Sequence, residues 1–231
     1  MAELFISELL RKIMPNVMDR LSELWESLLQ TLLMILVPGV VSFVIGIFFA
    51  VVLTVSKKGG LMENLPLWTV LDKVINFFRS VPFIILIALL IPLTRILAGT
   101  AIGVKGAIPP LIFGTAPFFS RQMENALAEV EAGSVEAALS TGESNVGIIF
   151  RVYLKESVPG SIRGVTITLI SLIGLTAMAG AVGGGGLGDF AIRYGYQRYQ
   201  TDITIITVII LILLVSAIQA AGNYFAKKAS H

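Results

Sequence analysis

The chain has 231 residues, of which 55% are hydrophobic and 14% charged, and its mean hydropathy is +0.87. A soluble domain carries about 25% charged residues; the 17 Lys+Arg and 15 Asp+Glu here leave long uncharged stretches that a water-facing surface could not cover, so the chain reads as a polytopic membrane protein. The net charge is +2, with basic residues scattered beside apolar runs, which suits lipid headgroups and excludes a nucleic-acid footprint; the lack of cysteine and a single histidine, His231, exclude disulfides, thiolate or histidine metal sites and Ser-His-Asp triads.

Residues 1–26 lack the order of a secretory signal, since Glu3, Glu8, Arg11, Lys12, Asp19, Arg20, Glu23 and Glu26 are dispersed through them. Ile6, Leu9, Ile13, Val17, Leu21, Leu24 and Leu28 recur every three or four positions, which predicts an amphipathic N-terminal extension lying along a membrane surface, bent at Pro15. No charge occurs between Glu26 and Lys57, and about 20 apolar residues suffice to cross the hydrocarbon core. The first span is therefore placed at about 27–56, with Pro38 and Gly39 as a kink. A second span is expected at about 74–97, with Arg79 snorkelling or buried, and a third at about 106–126 despite Pro109, Pro110 and Pro117. The runs 164–188 and 203–226 are long enough to cross unaided, which brings the count to five in a transmembrane domain of residues 27–228.

Five spans put the termini on opposite sides. Lys57, Lys58, Lys73, Arg79, Arg121, Arg151, Lys155, Arg163, Lys227 and Lys228 fall on the side of the C-terminus, the larger share of the basic residues, so the C-terminus is expected in the cytoplasm and the N-terminus outside.

Residues 127–163 form the extensive polar connection. Val130, Val135, Ala138 and Leu139 supply an apolar side and Glu129, Glu131, Glu136 and Glu143 a polar one, the pattern of a surface helix that wants a partner groove. Within it stands Glu136-Ala137-Ala138, followed by Gly142, with Val152 and Leu154 ten and twelve residues beyond. Two alanines let a helix seat closely, Gly142 permits a turn that an L-residue resists, and Glu136 can accept a charge-assisted hydrogen bond.

This spacing resembles the EAA signature of permease subunits of ATP-binding-cassette importers: EAA, three residues, Gly, nine residues, then Ile-x-Leu-Pro. The chain departs from it at Lys155, where the signature has proline; Pro159 falls four positions late. Further strings look like the methionine-uptake branch of these permeases: Phe78-Arg79-Ser80-Val81-Pro82-Phe83, Ile91-Pro92-Leu93-Thr94-Arg95, Gly99-Thr100-Ala101-Ile102-Gly103, and Ala177-Met178-Ala179-Gly180 through Gly188, then Tyr194-Gly195-Tyr196. The resemblance covers about 25–228 and implies an all-α type I importer permease fold in the cytoplasmic (inner) membrane. It implies a homodimer working with two copies of an ATPase subunit that carries ATP and Mg, fed by an external substrate-binding protein or lipoprotein, and surrounded by lipid. Glu136, Ala137, Ala138, Gly142, Val152 and Leu154 would couple the chain to the ATPase. The implied substrate is methionine, in either enantiomer; another small amino acid or a hydrophobic solute is the alternative.

This chain contains no Gly-Lys dipeptide and hence no phosphate-cradling GxxxxGK[ST] loop, so no nucleotide cofactor of its own is expected. Gly183, Gly184, Gly185, Gly186, Leu187 and Gly188 satisfy GxGxxG, but they follow an apolar segment of spanning length rather than a strand. Close helix packing, a gate at the outer end of span four, and a simple loop remain open for them. The last two spans contain hydroxyls, among them that of Thr176, and the amides of Gln219 and Asn223, and no ionisable core residue, unlike carriers driven by protons or sodium. Thr176 can equally bond its own helix, and Met178 can fill core space or line a passage. Ser80, Pro82, Thr176, Met178 and Gly183–Gly186 are the candidate path or gate. A stand-alone channel or secondary carrier is the rival reading, in which the polar loop only connects spans; an intramembrane enzyme lacks the paired carboxylates or activated nucleophile it would need.

Overall fold

The computed structural model describes residues 12–230, and among these every regular element is helical. The Ile6 and Leu9 part of the predicted extension lies outside the described residues. In chain order the elements are α1 (Pro15–Asp19), α2 (Leu21–Ser56), α3 (Leu65–Ser80), α4 (Phe83–Ala98), α5 (Gly103–Ala128), α6 (Ala132–Ser140) and α7 (Asn145–Ile148). A π-turn (Ile149–Tyr153), α8 (Leu154–Glu156), α9 (Val158–Ala181), α10 (Gly186–Phe190), a second π-turn (Ala191–Tyr196) and α11 (Thr201–Ala229) complete the order.

By length and composition α2, α9 and α11 can each cross a membrane, and α3 with α4 makes a fourth candidate if the broken pair is one span. The 26 residues of α5 extend about 39 Å, enough to cross, although Lys105, Arg121 and Glu124 interrupt their apolar character.

Several boundaries differ from the sequence expectation. Span one does not start afresh at 27: the helix is continuous from Leu21 and retains Pro38 in its interior. The span placed at 74–97 is two helices, because Val81 precedes Pro82 and is driven into the extended region, φ −80° and ψ 124°, by the proline ring. The span placed at 164–188 stops at Ala181, where glycines with positive φ turn the chain into α10. The polar connection ends earlier than 163, since α9 begins at Val158.

The chain divides into two compact units. One contains the described residues up to Val37, Phe83–Leu111 and Leu172–Ala217. Val17, Leu24, Leu187, Phe190 and Ile203 form its buried cluster, with Met14, Leu28 and Tyr194 packed against it. The stripe read as membrane-facing thus covers protein through Val17 and Leu24, while Ile13, Leu21 and Trp25 of the same segment remain exposed. Asp202 anchors α1, accepting from the amide nitrogen and side-chain Nδ2 of Asn16 at 3.0 Å each, a carboxylate set at a helix start.

The second unit contains Pro38–Pro82, Ile112–Ser171 and the described residues from Ile218. Ala50, Phe119, Met123 and Leu127 are its core, flanked by Phe43, Tyr153, Leu154 and Val165. Phe43 and Phe119 meet with ring centroids 4.5 Å apart. On its polar side Arg121 of α5 pairs with Asp72 of α3, accompanied by Glu124 at 2.6 Å and Asn76 Oδ1 at 3.2 Å. Two carboxylates around a half-buried guanidinium keep its charge compensated where water is scarce.

Candidate functional site: the turn that closes α6

The element α6 carries no buried residue. Its sequence explains its shortness: Ala137, Ala138 and Leu139 favour helix, whereas Gly142 ends it in the left-handed region at φ +79°. The Glu143 amide donates to the Ala138 carbonyl at 3.1 Å and the Gly142 amide to the Leu139 carbonyl at 3.0 Å. These two bonds satisfy the last carbonyls of α6 and require a residue that tolerates positive φ at position 142. Beyond the turn, the Ser144 hydroxyl accepts from the Gly147 amide at 3.1 Å and starts α7, while Arg151 reaches back to Glu143 at 2.9 Å. The turn is braced on both sides.

Glu136, Ala137, Ala138 and Gly142 therefore share one short protruding segment. Glu136 and Ala137 are exposed, and Leu139, Val146 and Phe150 present 47%, 61% and 65% of their surface. An exposed apolar trio beside a carboxylate is a docking surface in chemical terms. Val152 and Leu154 are set apart from it: Val152 lies in the π-turn, and Leu154 packs with Tyr153 on the Ala50, Phe119, Met123 and Leu127 cluster. Burial there pushes the Tyr153 phenol above its ordinary value. Leu154 thus ties the end of this segment to the helices, and Val146 and Phe150, absent from the signature, extend its exposed face.

Among the candidate path residues, Thr176 is buried and its hydroxyl donates to the Ile173 carbonyl of its own helix at 2.7 Å, whereas Met178 is 39% exposed. Ser80 likewise donates to the Asn76 carbonyl at 2.7 Å, and Pro82 is the exposed residue after the extended Val81. The glycine run is a fixed turn. Gly183, Gly185 and Gly186 have φ of +89°, +79° and +76°, and the Gly183 carbonyl accepts from the Gly103 amide at 2.9 Å. Gln30 Oε1 accepts from the Gly186 amide and the Thr31 hydroxyl from the Leu187 amide, both at 2.8 Å. Gly186 has Thr31 Oγ1 2.7 Å from where a Cβ would stand, so close approach accounts for the glycine there. No strand precedes it among the described residues, and the dinucleotide fingerprint lacks its context.

Sequence reading did not single out the Gln30 and Thr31 contacts to the glycine turn, the Asp72 and Arg121 pair, or the surroundings of Tyr194. The guanidinium carbons of Arg20, Arg193 and Arg198 stand 4.4, 4.8 and 4.9 Å from the Tyr194 ring centre. Polar residues inside apolar runs, such as Gln30 and Thr31 after Glu26, were the available signal.

The family described as binding-protein-dependent transport system inner membrane component matches residues 42–231. The chain is 48% identical over 202 residues to the probable D-methionine transport system permease protein MetI of Vibrio cholerae, covering 87% of this chain and 90% of that protein. It is 44% identical over 186 residues to the methionine import system permease protein MetP of Bacillus subtilis, covering 80% and 83%. It superposes on a permease chain in an inward-facing structure of the MetNI methionine ABC transporter with a TM-score of 0.90 and 40% identity, over 92% of this chain and 99% of that one. A further likeness, to an amino acid ABC transporter crystallised with histidines, has a TM-score of 0.76 at 16% identity and speaks for the fold alone. An all-α membrane chain with an EAA helix closed by glycine, matched along most of its length, thus belongs to the inner membrane components of binding-protein-dependent transport systems.

Proposed function

We propose that the chain is the membrane-spanning subunit of an ATP-driven importer that brings methionine into the cell, and that the α6 turn is where a separate ATPase takes hold. The observation that carries this reading is α6 itself, a helix without a buried residue, held in shape by the Gly142 turn and braced by Arg151 on Glu143. A surface of this kind costs little to desolvate and is already ordered before a partner arrives. The methionine assignment is supported by relatives at 43–48% identity that carry that substrate in their names.

In this reading the chain works as a homodimer with two ATPase copies, which hold ATP and Mg, and receives substrate from an external binding protein. The polypeptide crosses five times, with α5 as the third crossing, the N-terminus outside and α6 and the C-terminus in the cytoplasm. Nucleotide binding draws the paired ATPases together and carries both α6 turns with them. Leu154, seated on the Phe119 and Met123 cluster, passes that displacement to the helices. The energy available is the differential affinity of the ATPases for the two arrangements. The permease makes and breaks no covalent bond in this cycle.

Uptake of labelled methionine into vesicles containing the permease and its ATPase tests the proposal. ATP-dependent accumulation, competed by unlabelled methionine and not by unrelated amino acids, is the predicted result. Uptake that survives ATP depletion would leave the stand-alone carrier as the better account.

A further inference from the structure

The unit built from Pro38–Pro82, Ile112–Ser171 and the residues from Ile218 contains a cavity of about 750 Å³, walled by α2, α5, the start of α9 and the end of α11. Phe43, Phe119, Met123, Val165, Ile218 and Phe225 are among its lining residues. Ser161 and Thr166 are the hydroxyl-bearing residues of the lining, and both are engaged locally. Thr166 donates to the Ile162 carbonyl at 2.8 Å, and the Ser161 hydroxyl lies 3.4 Å from that of Ser157. Among the described residues, no charged side chain lines the cavity.

This chemistry selects the occupant. A zwitterionic amino acid would strip water from an ammonium and a carboxylate and find no group to replace it, a heavy cost in an apolar site. A hydrocarbon chain has no such requirement. Lysines, meanwhile, flank lining residues in the sequence. Lys155 follows Leu154, and Lys227 and Lys228 follow Phe225 by two and three positions. All three lysines are exposed, and none joins an ion pair among the described residues. Tyr224 and Phe225 meet edge to face just before the lysine pair, an aromatic-then-basic ending that marks headgroup depth on an apolar helix. From Phe225 to Ile218 the helix descends about 10 Å, within the roughly 15 Å of hydrocarbon in one leaflet.

We propose that the cavity binds one acyl chain of an anionic glycerophospholipid from the leaflet on the α6 side, with Lys155, Lys227 and Lys228 holding the headgroup phosphate. The proposal rests on membrane embedding and is independent of the transported solute. A chain seated there fills the space beside Leu154 and Val158, where the segment leaving the α6 turn enters α9. The lipid is thereby a structural part of the lever.

Native mass spectrometry of the full-length protein, titrated with palmitoyl-oleoyl phosphatidylglycerol or the matching phosphatidylcholine, tests this. The wild type is expected to retain one phosphatidylglycerol per chain in preference to phosphatidylcholine. Lys155→Gln, Lys227→Gln and Lys228→Gln should each weaken phosphatidylglycerol retention, by about fivefold per lysine, and leave phosphatidylcholine unchanged. Ala221→Phe, which fills the cavity from α11, should abolish retention. Because that variant could fail to fold, Phe225→Trp provides a second readout. Brominated phosphatidylglycerol in vesicles should quench the new tryptophan more strongly than brominated phosphatidylcholine, after subtraction of Trp25 and Trp68 in the parent. Equal retention by Ala221→Phe, equal quenching by the two lipids, or a disulfide joining two copies through Ala221→Cys would each overturn the proposal.

Discussion

The Leu187 amide donates to the Thr31 hydroxyl at 2.8 Å, linking residues 156 positions apart. Both are almost fully buried, so the Leu187 amide depends on that hydroxyl, as the Gly186 amide beside it does on Gln30. Thr31→Val keeps the shape and removes the acceptor, leaving a buried amide unpaired at a cost of about 1–3 kcal/mol. Thermal unfolding of the purified protein should show the loss, and Thr31→Ser should largely restore it. A Thr31→Val variant as stable as the wild type would mean that water or another group serves Leu187.

Arg121 and Asp72 make the second long-range tie, with side chains 15% and 24% exposed. Arg121→Met removes the cation and leaves Asp72 and Glu124 facing each other in a poorly hydrated place. A destabilisation of about 3 kcal/mol is expected. Arg121→Lys should recover part of it, because an ammonium keeps the charge but lacks the fork that reaches Asp72, Glu124 and Asn76 together. The measurement is the amount of folded protein in membranes and its apparent melting temperature; equal values for Met and Lys would remove charge from the explanation.

These two ties also show what could be read in the sequence. Spacing within one element was legible: the apolar runs of α2, α9 and α11, and the Glu136 to Gly142 interval that ends α6. Such features depend on neighbours a few residues away. The caps on Gly186 and Leu187 and the Asp72 and Asn76 partners of Arg121 come from residues distant in the chain, so no local pattern announces them. The break at Val81 is local too: Pro82 restricts the residue before it, and a span expected from an uncharged run carries no such backbone information. Leu154, read as part of the docking signature, proves to pack inward; Val146 and Phe150 stay outside.

Gly142→Ala places a Cβ at φ +79°, a strain of about 1–2 kcal/mol. That is enough to lower the population of the intact turn by about 5- to 30-fold. Methionine uptake should fall accordingly while helical content by circular dichroism is unchanged. Gly142→Pro also removes the amide that donates to Leu139 and should abolish uptake. Full uptake in the proline variant would detach the turn from transport.

The chain has no cysteine, so single cysteines report topology without background. Tyr199→Cys, at a position 92% exposed, should be labelled by an impermeant maleimide in intact cells, and Leu139→Cys only after permeabilisation. The reverse pattern would invert the proposed orientation.

Cross-linking from Leu139→Cys to the ATPase in the assembled transporter tests most directly whether α6 is the motor's point of attachment. A short cysteine-reactive cross-linker should join the two polypeptides there, and should not do so from Ile96→Cys, an exposed site on α4. If the ATPase remains bound yet cross-links from Ile96→Cys and never from Leu139→Cys, α6 is not the attachment point and the coupling mechanism is wrong.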